Sequence, residues 1–415
     1  MVDGTGLENQ RVKAPQVRIL SLPPEIMTQR RYRKIWIFPC LILAGFLSFV
    51  ALRMATMDTE IARYFTYVAP TVDYRGIEYS PGFGQWSVAL NGKVVAESSM
   101  DTEIKPIAST AKMIMALAVM EKKPFALGEA GETITITPEL YNNYIWYNTN
   151  NGSTSKVALG EEISEYDALT SAMLPSSNNM ADTLAIWAFG DIDSYREYAT
   201  EMVRKLGAST ITIGPDASGF NTKTTGTSED LVILANTVLR QPVLAEIVGK
   251  ASADVPVAGR IENTNKLLGV DGIIGVKTGY NGDESGYCLA SGYKEGEEIV
   301  TMAVMGAPAR QTSFTATQEL MAKAREQIKT RELVREGEEV GYYESWWTGK
   351  VPIVATENVS GVAISNIKTE MNEDASALKL ASEETEYMAK LIAEDFPKEP
   401  TFWERLWHVF GWEKQ

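Results

Sequence analysis

The stretch Ala108-Ser109-Thr110-Ala111-Lys112 leads into Met113-Ile114-Met115-Ala116-Leu117-Ala118-Val119-Met120, an apolar run without glycine or proline. Such a run predicts a buried helix. Ser109 and Lys112 are three residues apart, so a helix puts them on one face, one turn apart. A lysine so placed can take the proton of a serine hydroxyl if its surroundings lower its pKa. The spacing alone fits a helix start with a solvated lysine equally well, and the rest of the chain decides between the two.

The chain has 415 residues, 45% of them hydrophobic, enough for a large core and more than one domain. Its formal net charge is −15, although the first 34 residues are basic and include Arg30-Arg31-Tyr32-Arg33-Lys34. The remainder is therefore strongly acidic, which argues against a nucleic-acid partner. The two cysteines, Cys40 and Cys288, are far apart in sequence and offer no disulfide framework. The one histidine, His408, lies near the C-terminus. That scarcity excludes a Ser-His-Asp triad, a Cys-His pair and a histidine-rich zinc site. A hydrolase built from this chain must draw its base from Lys, Asp, Glu or Tyr.

Residues 35–52 run apolar without a charge, about the length that crosses a bilayer as a helix, and Arg53 closes the run. The basic cluster precedes it, so the positive-inside rule puts residues 1–34 in the cytoplasm and the body outside. The stretch before the run is longer than an ordinary signal-peptide n-region, and no clean small-x-small site follows. Both points favour a retained anchor over a cleaved signal.

Asn91-Gly92 between Gln85–Leu90 and Lys93–Ser98 predicts a two-residue hairpin. Residues 134–165 read as loop-rich. Helices are expected over 167–173, 180–189, 193–206, 228–239 and 316–329, and short strands over 273–276, 287–291 and 299–305. The order predicts one antiparallel sheet whose halves are separated in sequence by a helical insertion. After Arg331, alternating segments over 339–343, 350–356 and 359–367 predict a small β-rich module. The pattern over 383–396 does not decide between helix and strand. Residues 402–412 carry three tryptophans and two phenylalanines, and predict an amphipathic helix suited to a bilayer interface.

Two more motifs join the first. Ser176-Ser177-Asn178 breaks two apolar helices, and Lys277-Thr278-Gly279 follows the β-like Gly275-Val276. Each tripeptide alone is common, and singly Asn178 reads as a helix cap, Lys277 as a solvated strand end and Tyr280 as core. Ser-x-x-Lys, Ser-x-Asn and Lys-Thr-Gly in this order, each in its expected setting, resemble the motif set of penicillin-binding proteins and class A β-lactamases. Gly214-Pro215-Asp216-Ala217-Ser218-Gly219 is similar to a turn of the serine D-alanyl-D-alanine carboxypeptidases, the low-molecular-mass penicillin-binding proteins. Residues 263–272, Lys277-Thr278-Gly279-Tyr280 and Gly286-Tyr287-Cys288-Leu289 are similar to that family's long signature. The likeness runs from Gln85 to Lys329. It departs at Ala111, where the family usually has Thr, at Asn179, where it usually has Asp, and over Asn281–Ser285, which is a residue longer.

The resemblance implies an α+β fold: a β-lactamase-like antiparallel sheet flanked by helices, with a helical subdomain. It implies that Ser109 is the nucleophile, Lys112 its base and Ser176 a proton relay, while Asn178 holds Lys112 and the substrate amide. Lys277 and Thr278 would meet the substrate's carboxylate, Gly279 would allow close approach, and the N–H groups of Ser109 and Tyr280 would form the oxyanion hole. No cofactor or metal is called for.

The expected organisation is a cytoplasmic tail (1–34), a transmembrane helix (35–52), a linker (53–80), a catalytic domain (81–330), a β-rich module (331–397) and a membrane-interface helix (398–415). The expected activity is removal of the terminal D-alanine from peptidoglycan stem peptides outside a bacterial membrane, with β-lactams as covalent inhibitors. Rival readings are a DD-endopeptidase, a β-lactamase and an inactive wall-binding protein. No Glu between Asn178 and Lys277 has Asn four residues later, so the deacylating loop of class A β-lactamases is missing.

Overall fold

The computed structural model describes residues 24–99 and 101–412, with side chains from Trp36 onward. The chain divides into two compact units. The larger comprises residues 65–342 and 352–394 and contains all three motifs. The smaller gathers the N-terminal helix, residues 343–351 and the C-terminal tail.

The larger unit is built on a five-stranded antiparallel sheet. In spatial order its strands are Val276–Tyr280, Tyr287–Glu295, Glu298–Ala307, Gln85–Leu90 and Lys93–Glu97. The predicted hairpin is present, with Asn91 at φ 53° and Gly92 at φ 85°, as a two-residue turn between twisted strands requires. Val300 pairs with Leu90 and Val304 with Trp86, which joins the early hairpin to the late strands. This is the single sheet interrupted by a helical insertion that the element order predicts.

Both faces of the sheet are covered. Val88, Leu90, Leu289, Val300 and Val304 pack on one side against Phe314, Leu320 and Met321 of α9 (Arg310–Gln327). Ala89, Ala290 and Ala303 alternate with them toward α7 (Ser228–Arg240) and α2 (Lys112–Lys122). Alanine on that face lets the helices come close to the strands. α2 is buried on every side from Lys112 to Met120, which its unbroken apolar sequence requires. It packs against α5 (Asn178–Phe189) and α6 (Ile192–Lys205), with α4 (Glu165–Met173) beside them.

Two expected elements move, one loop becomes a helix and one undecided segment resolves: the strand expected over 273–276 runs Val276–Tyr280. Residues 138–149 form a helix, α3 (Pro138–Thr149), where loop was expected. It buries only Leu140 and Tyr147, too few for a periodic signal, and its start rests on Thr137 as N-cap and Pro138 in the first turn. α9 begins at Arg310, ahead of the expected 316. Residues 383–396 contain a strand, Glu386–Ile392, which pairs with Ala377–Ala381 and buries Ala389 and Leu391.

In the smaller unit α1 runs from Pro24 to Ala55, so it begins ahead of the helix expected over 35–52, within the stretch read as a tail (1–34). Residues 1–23 of that tail lie outside the described residues. Trp36–Ala55 is the one single helix among the described residues long and apolar enough to cross a membrane. Its side chains from Trp36 to Phe49 are exposed. α10 (Phe402–Val409) opens with a capping box between Thr401 and Glu404. Phe410 contacts Phe46 of α1 at 6.1 Å between ring centroids.

Candidate active site

Ser109 sits in a short 3-10 turn, Ala108–Ala111, and α2 begins at Lys112. Residues i and i+3 of such a turn eclipse, so Ser109 and Lys112 meet more directly than on an α-helix. Lys112 Nζ donates to Ser109 Oγ at 2.9 Å, to Asn178 Oδ1 at 2.7 Å and to the Ser218 carbonyl at 2.8 Å. Its relative exposure is 0%. Burial lowers its pKa to about 7, against the opposing pull of Asp216 and Asp182.

Lys277 lies on the sheet's edge strand and is also buried. Its Nζ donates to Ser176 Oγ at 2.8 Å and to the Thr278 carbonyl at 3.0 Å. Burial first, then the charge of Lys112, hold its pKa well below the usual lysine value. Thr278 Oγ1 shares a 2.7 Å hydrogen bond with Thr264 Oγ1. Ser176 takes φ 67° and Ala108 φ 48°, left-handed conformations that cost a non-glycine residue about 1–3 kcal/mol. Ala108 precedes the nucleophile, and Ser176 is bonded to Lys277.

The strand reaches the serine turn through Gly279. A Cβ there would stand 3.1 Å from Ile107 O and Thr110 N and 3.2 Å from Ser109 N. Tyr280 follows, 48% exposed, its ring stacked on Tyr287 at 4.2 Å. The eight sequence-predicted residues thus converge. Ser109, Lys112 and Asn178 are directly hydrogen-bonded, Ser176 joins Lys277, and Gly279 lies against the nucleophile's turn.

A buried layer beneath them was not anticipated. Tyr147 OH donates to Asp182 Oδ2 at 2.6 Å and lies 3.3 Å from Ser218 Oγ. Asp182 Oδ1 accepts from Ala217 N at 2.9 Å. Asp216 accepts from the N–H groups of Ser218, Phe220 and Asn221 at 2.9–3.1 Å. The turn that offers the Ser218 carbonyl to Lys112 is therefore pinned by two carboxylates. One signal was available: Asp182 is the only charge in the otherwise apolar or neutral sequence of α5, and a buried charge requires partners. Tyr147 and Thr264 carry no comparable signal.

The departures from the family pattern are accommodated. Ala111 is buried where a Cβ at Gly219 would approach its methyl to 2.8 Å. Asn179 Oδ1 accepts from Ser177 Oγ at 2.7 Å and from Ser155 N at 3.1 Å. Ser285 Oγ closes the longer loop by accepting from Asn281 N at 2.7 Å.

The chain is similar to known proteins. The D-alanyl-D-alanine carboxypeptidase family pattern matches residues 89–309. A D-alanyl-D-alanine endopeptidase of Escherichia coli K12 is 26% identical over 235 residues, 55% of this chain and 72% of the relative. Among solved structures, a peptidoglycan synthesis regulatory factor of Streptococcus pneumoniae is similar with a TM-score of 0.61 at 18% identity. The match covers 76% of this chain and 99% of that one. The Streptomyces K15 DD-transpeptidase gives 0.51 at 21% identity, over 62% and 98%. The family match spans just over half of the chain and includes all three motifs, and the chain belongs to the D-alanyl-D-alanine carboxypeptidase family of serine peptidases.

Proposed function

We propose that this protein is a serine-type D-alanyl-D-alanine carboxypeptidase, held by α1 in a bacterial cell membrane with its catalytic unit outside. The observation that carries the reading is the 2.9 Å bond between Ser109 Oγ and a fully buried lysine whose pKa is lowered to about 7. An ordinary lysine is almost wholly protonated at neutral pH and takes up no proton. Lys112 near 7 is neutral in a large fraction of molecules.

Ser109 Oγ attacks the carbonyl carbon between the two D-alanines, and its proton passes to Lys112. The tetrahedral oxyanion rests on the N–H groups of Ser109 and Tyr280. Ser176 relays that proton from Lys112 to the leaving amine as the C–N bond breaks, and D-alanine departs with Lys112 neutral again. Water then cleaves the ester on Ser109 and restores the serine. Lys277 and Thr278 receive the terminal carboxylate, which gives the buried cation its missing counter-charge.

A β-lactam is taken up by the same attack and stays as an adduct. The name of the Escherichia coli relative favours a second reading, cleavage of D-alanine cross-links. The test is intact-mass detection of a penicillin adduct on wild type and Ser109→Ala, with D-alanine release from a pentapeptide measured beside cleavage of a cross-linked dimer. Labelling of Ser109→Ala would overturn the nucleophile. Turnover of the dimer alone would replace carboxypeptidase by endopeptidase.

A further inference from the structure

The smaller unit holds a cavity of its own. Trp346 and Trp347 occupy a turn that Ser345 Oγ closes by accepting from Thr348 N at 3.2 Å. Glu404, Trp407 and His408 of α10 supply the facing wall, and Trp412 follows them. The space between measures about 390 Å³, within the range of small-molecule sites.

The rings are fixed, and their polar edges are already used. Trp346 stacks on His408 at 4.1 Å between centroids and meets Trp347 edge to face at 5.2 Å. Trp346 Nε1 donates to the Asp58 carbonyl at 2.8 Å, and Trp347 Nε1 to the Lys398 carbonyl at 2.6 Å. These two indoles thus offer the cavity ring carbon and no N–H. The face of an indole is electronegative and attracts a cation. Glu404 adds a carboxylate, held by the N–H and hydroxyl of Thr401 at 2.7 and 2.8 Å. Among the described residues, no lysine or arginine lines the cavity. Its charge therefore suits a cationic guest.

The place of the cavity on α1 says where that guest comes from. Arg405 Nη1 donates at 3.4 Å to the carbonyl of Met54, in the last turn of the apolar helix. Asp58, which holds Trp346, follows that helix directly. In a helix that spans a bilayer, this end lies at the level of the lipid head groups.

We propose that this aromatic cage binds the ammonium of a zwitterionic phospholipid head group at the outer end of α1. The proposal uses the membrane reading of α1 and none of the peptidase chemistry. The phosphate that accompanies the ammonium meets Arg405, whose other charged partner is Glu399 at 3.7 Å. A lipid with a glycerol head group has the phosphate without the ammonium, so the cage discriminates between the two lipid classes.

The test places the full chain in nanodiscs of equimolar phosphatidylethanolamine and phosphatidylglycerol and counts, by native mass spectrometry, the lipids it retains on release. Wild type should retain the ammonium lipid over phosphatidylglycerol by about tenfold. Trp407→Ala and Glu404→Gln should each lose most of that preference. Glutamine still serves the Thr401 capping box, so the second variant reports the charge and not the loss of α10. Equal retention of the two lipids by wild type, or an unchanged preference in both variants, overturns the cage and leaves the membrane reading standing. A full chain that stays soluble without detergent or lipid overturns the membrane reading and the cage together.

Discussion

Lys112 Nζ and Asn178 Oδ1 are 2.7 Å apart, although the two residues are separated by 66 positions in sequence. That bond, with those to Ser109 Oγ and the Ser218 carbonyl, gives each N–H of a buried ammonium an acceptor. Loss of one proton leaves a neutral amine that keeps N–H donors for Asn178 Oδ1 and the Ser218 carbonyl and turns its lone pair to the Ser109 hydroxyl, which can donate. The site therefore holds either protonation state without rearrangement, as a base that cycles its proton needs.

The pH profile of acylation follows from this. A base with a pKa of about 7 is protonated below that value, so penicillin acylation should fall about tenfold per unit as pH drops below 7 and level off above it. Lys112→Arg should be nearly inactive throughout, because guanidinium stays protonated at any usable pH. Stopped-flow acylation of both proteins from pH 5 to 10 checks this. A near wild-type rate in the arginine variant would make Lys112 only structural.

Asp182 should act on the same profile from beneath. Its charge favours the protonated form of Lys112, as does that of Asp216. Asp182→Asn removes one negative charge and retains an oxygen for the Ala217 N–H. The acid limb of acylation should then move to lower pH, by about one unit. Tyr147 and Tyr195, which also face the two carboxylates, have pKa values pushed far up and stay neutral across this range. A limb that stays in place or moves upward would show that Asp182 holds the turn without tuning the base.

Lys277 has burial and a like charge against it, and Ser176 Oγ and a carbonyl for it. A substrate carboxylate would complete the balance. Lys277→Ala should lower kcat/KM for a peptide with a free C-terminus by about a hundredfold. Amidating the peptide should cost wild type a similar factor and cost the variant almost nothing. Measuring kcat/KM for the four combinations decides it. Losses that simply add would show that Lys277 and the carboxylate do not meet.

The tail makes a separate prediction. Phe402, Trp403 and Trp412 are more than 60% exposed, and Phe410 packs on Phe46, inside the apolar span of α1. Burial of such rings in lipid gains roughly 25 cal/mol per Å² of apolar surface. A chain beginning at Thr56 should therefore float with liposomes, and removal of residues 402–412 should abolish flotation. Equal flotation of the two would leave the helix without a membrane role.

The sequence by itself determined the chemistry on offer. A single histidine near the C-terminus leaves the base to Lys, Asp, Glu or Tyr, and three short motifs in order point to Lys112 and the residues around it. It also determined the elements whose signal is local: the Asn91-Gly92 hairpin, the unbroken apolar run of α2, the long apolar helix α1 and the amphipathic α10. Periodicity and turn chemistry act within a few residues, so they survive in a linear reading. What only the tertiary structure decided depends on contacts between distant segments. Ser176 meets Lys277 across 101 positions because the helical insertion folds back onto the edge strand. The lowered pKa of Lys112 comes from desolvation, which no residue carries in its own sequence neighbourhood. Tyr147 was missed with its helix, and the partners of Asp182, the lone charge of α5, appeared only when α3, α5 and the Asp216 turn came together around it.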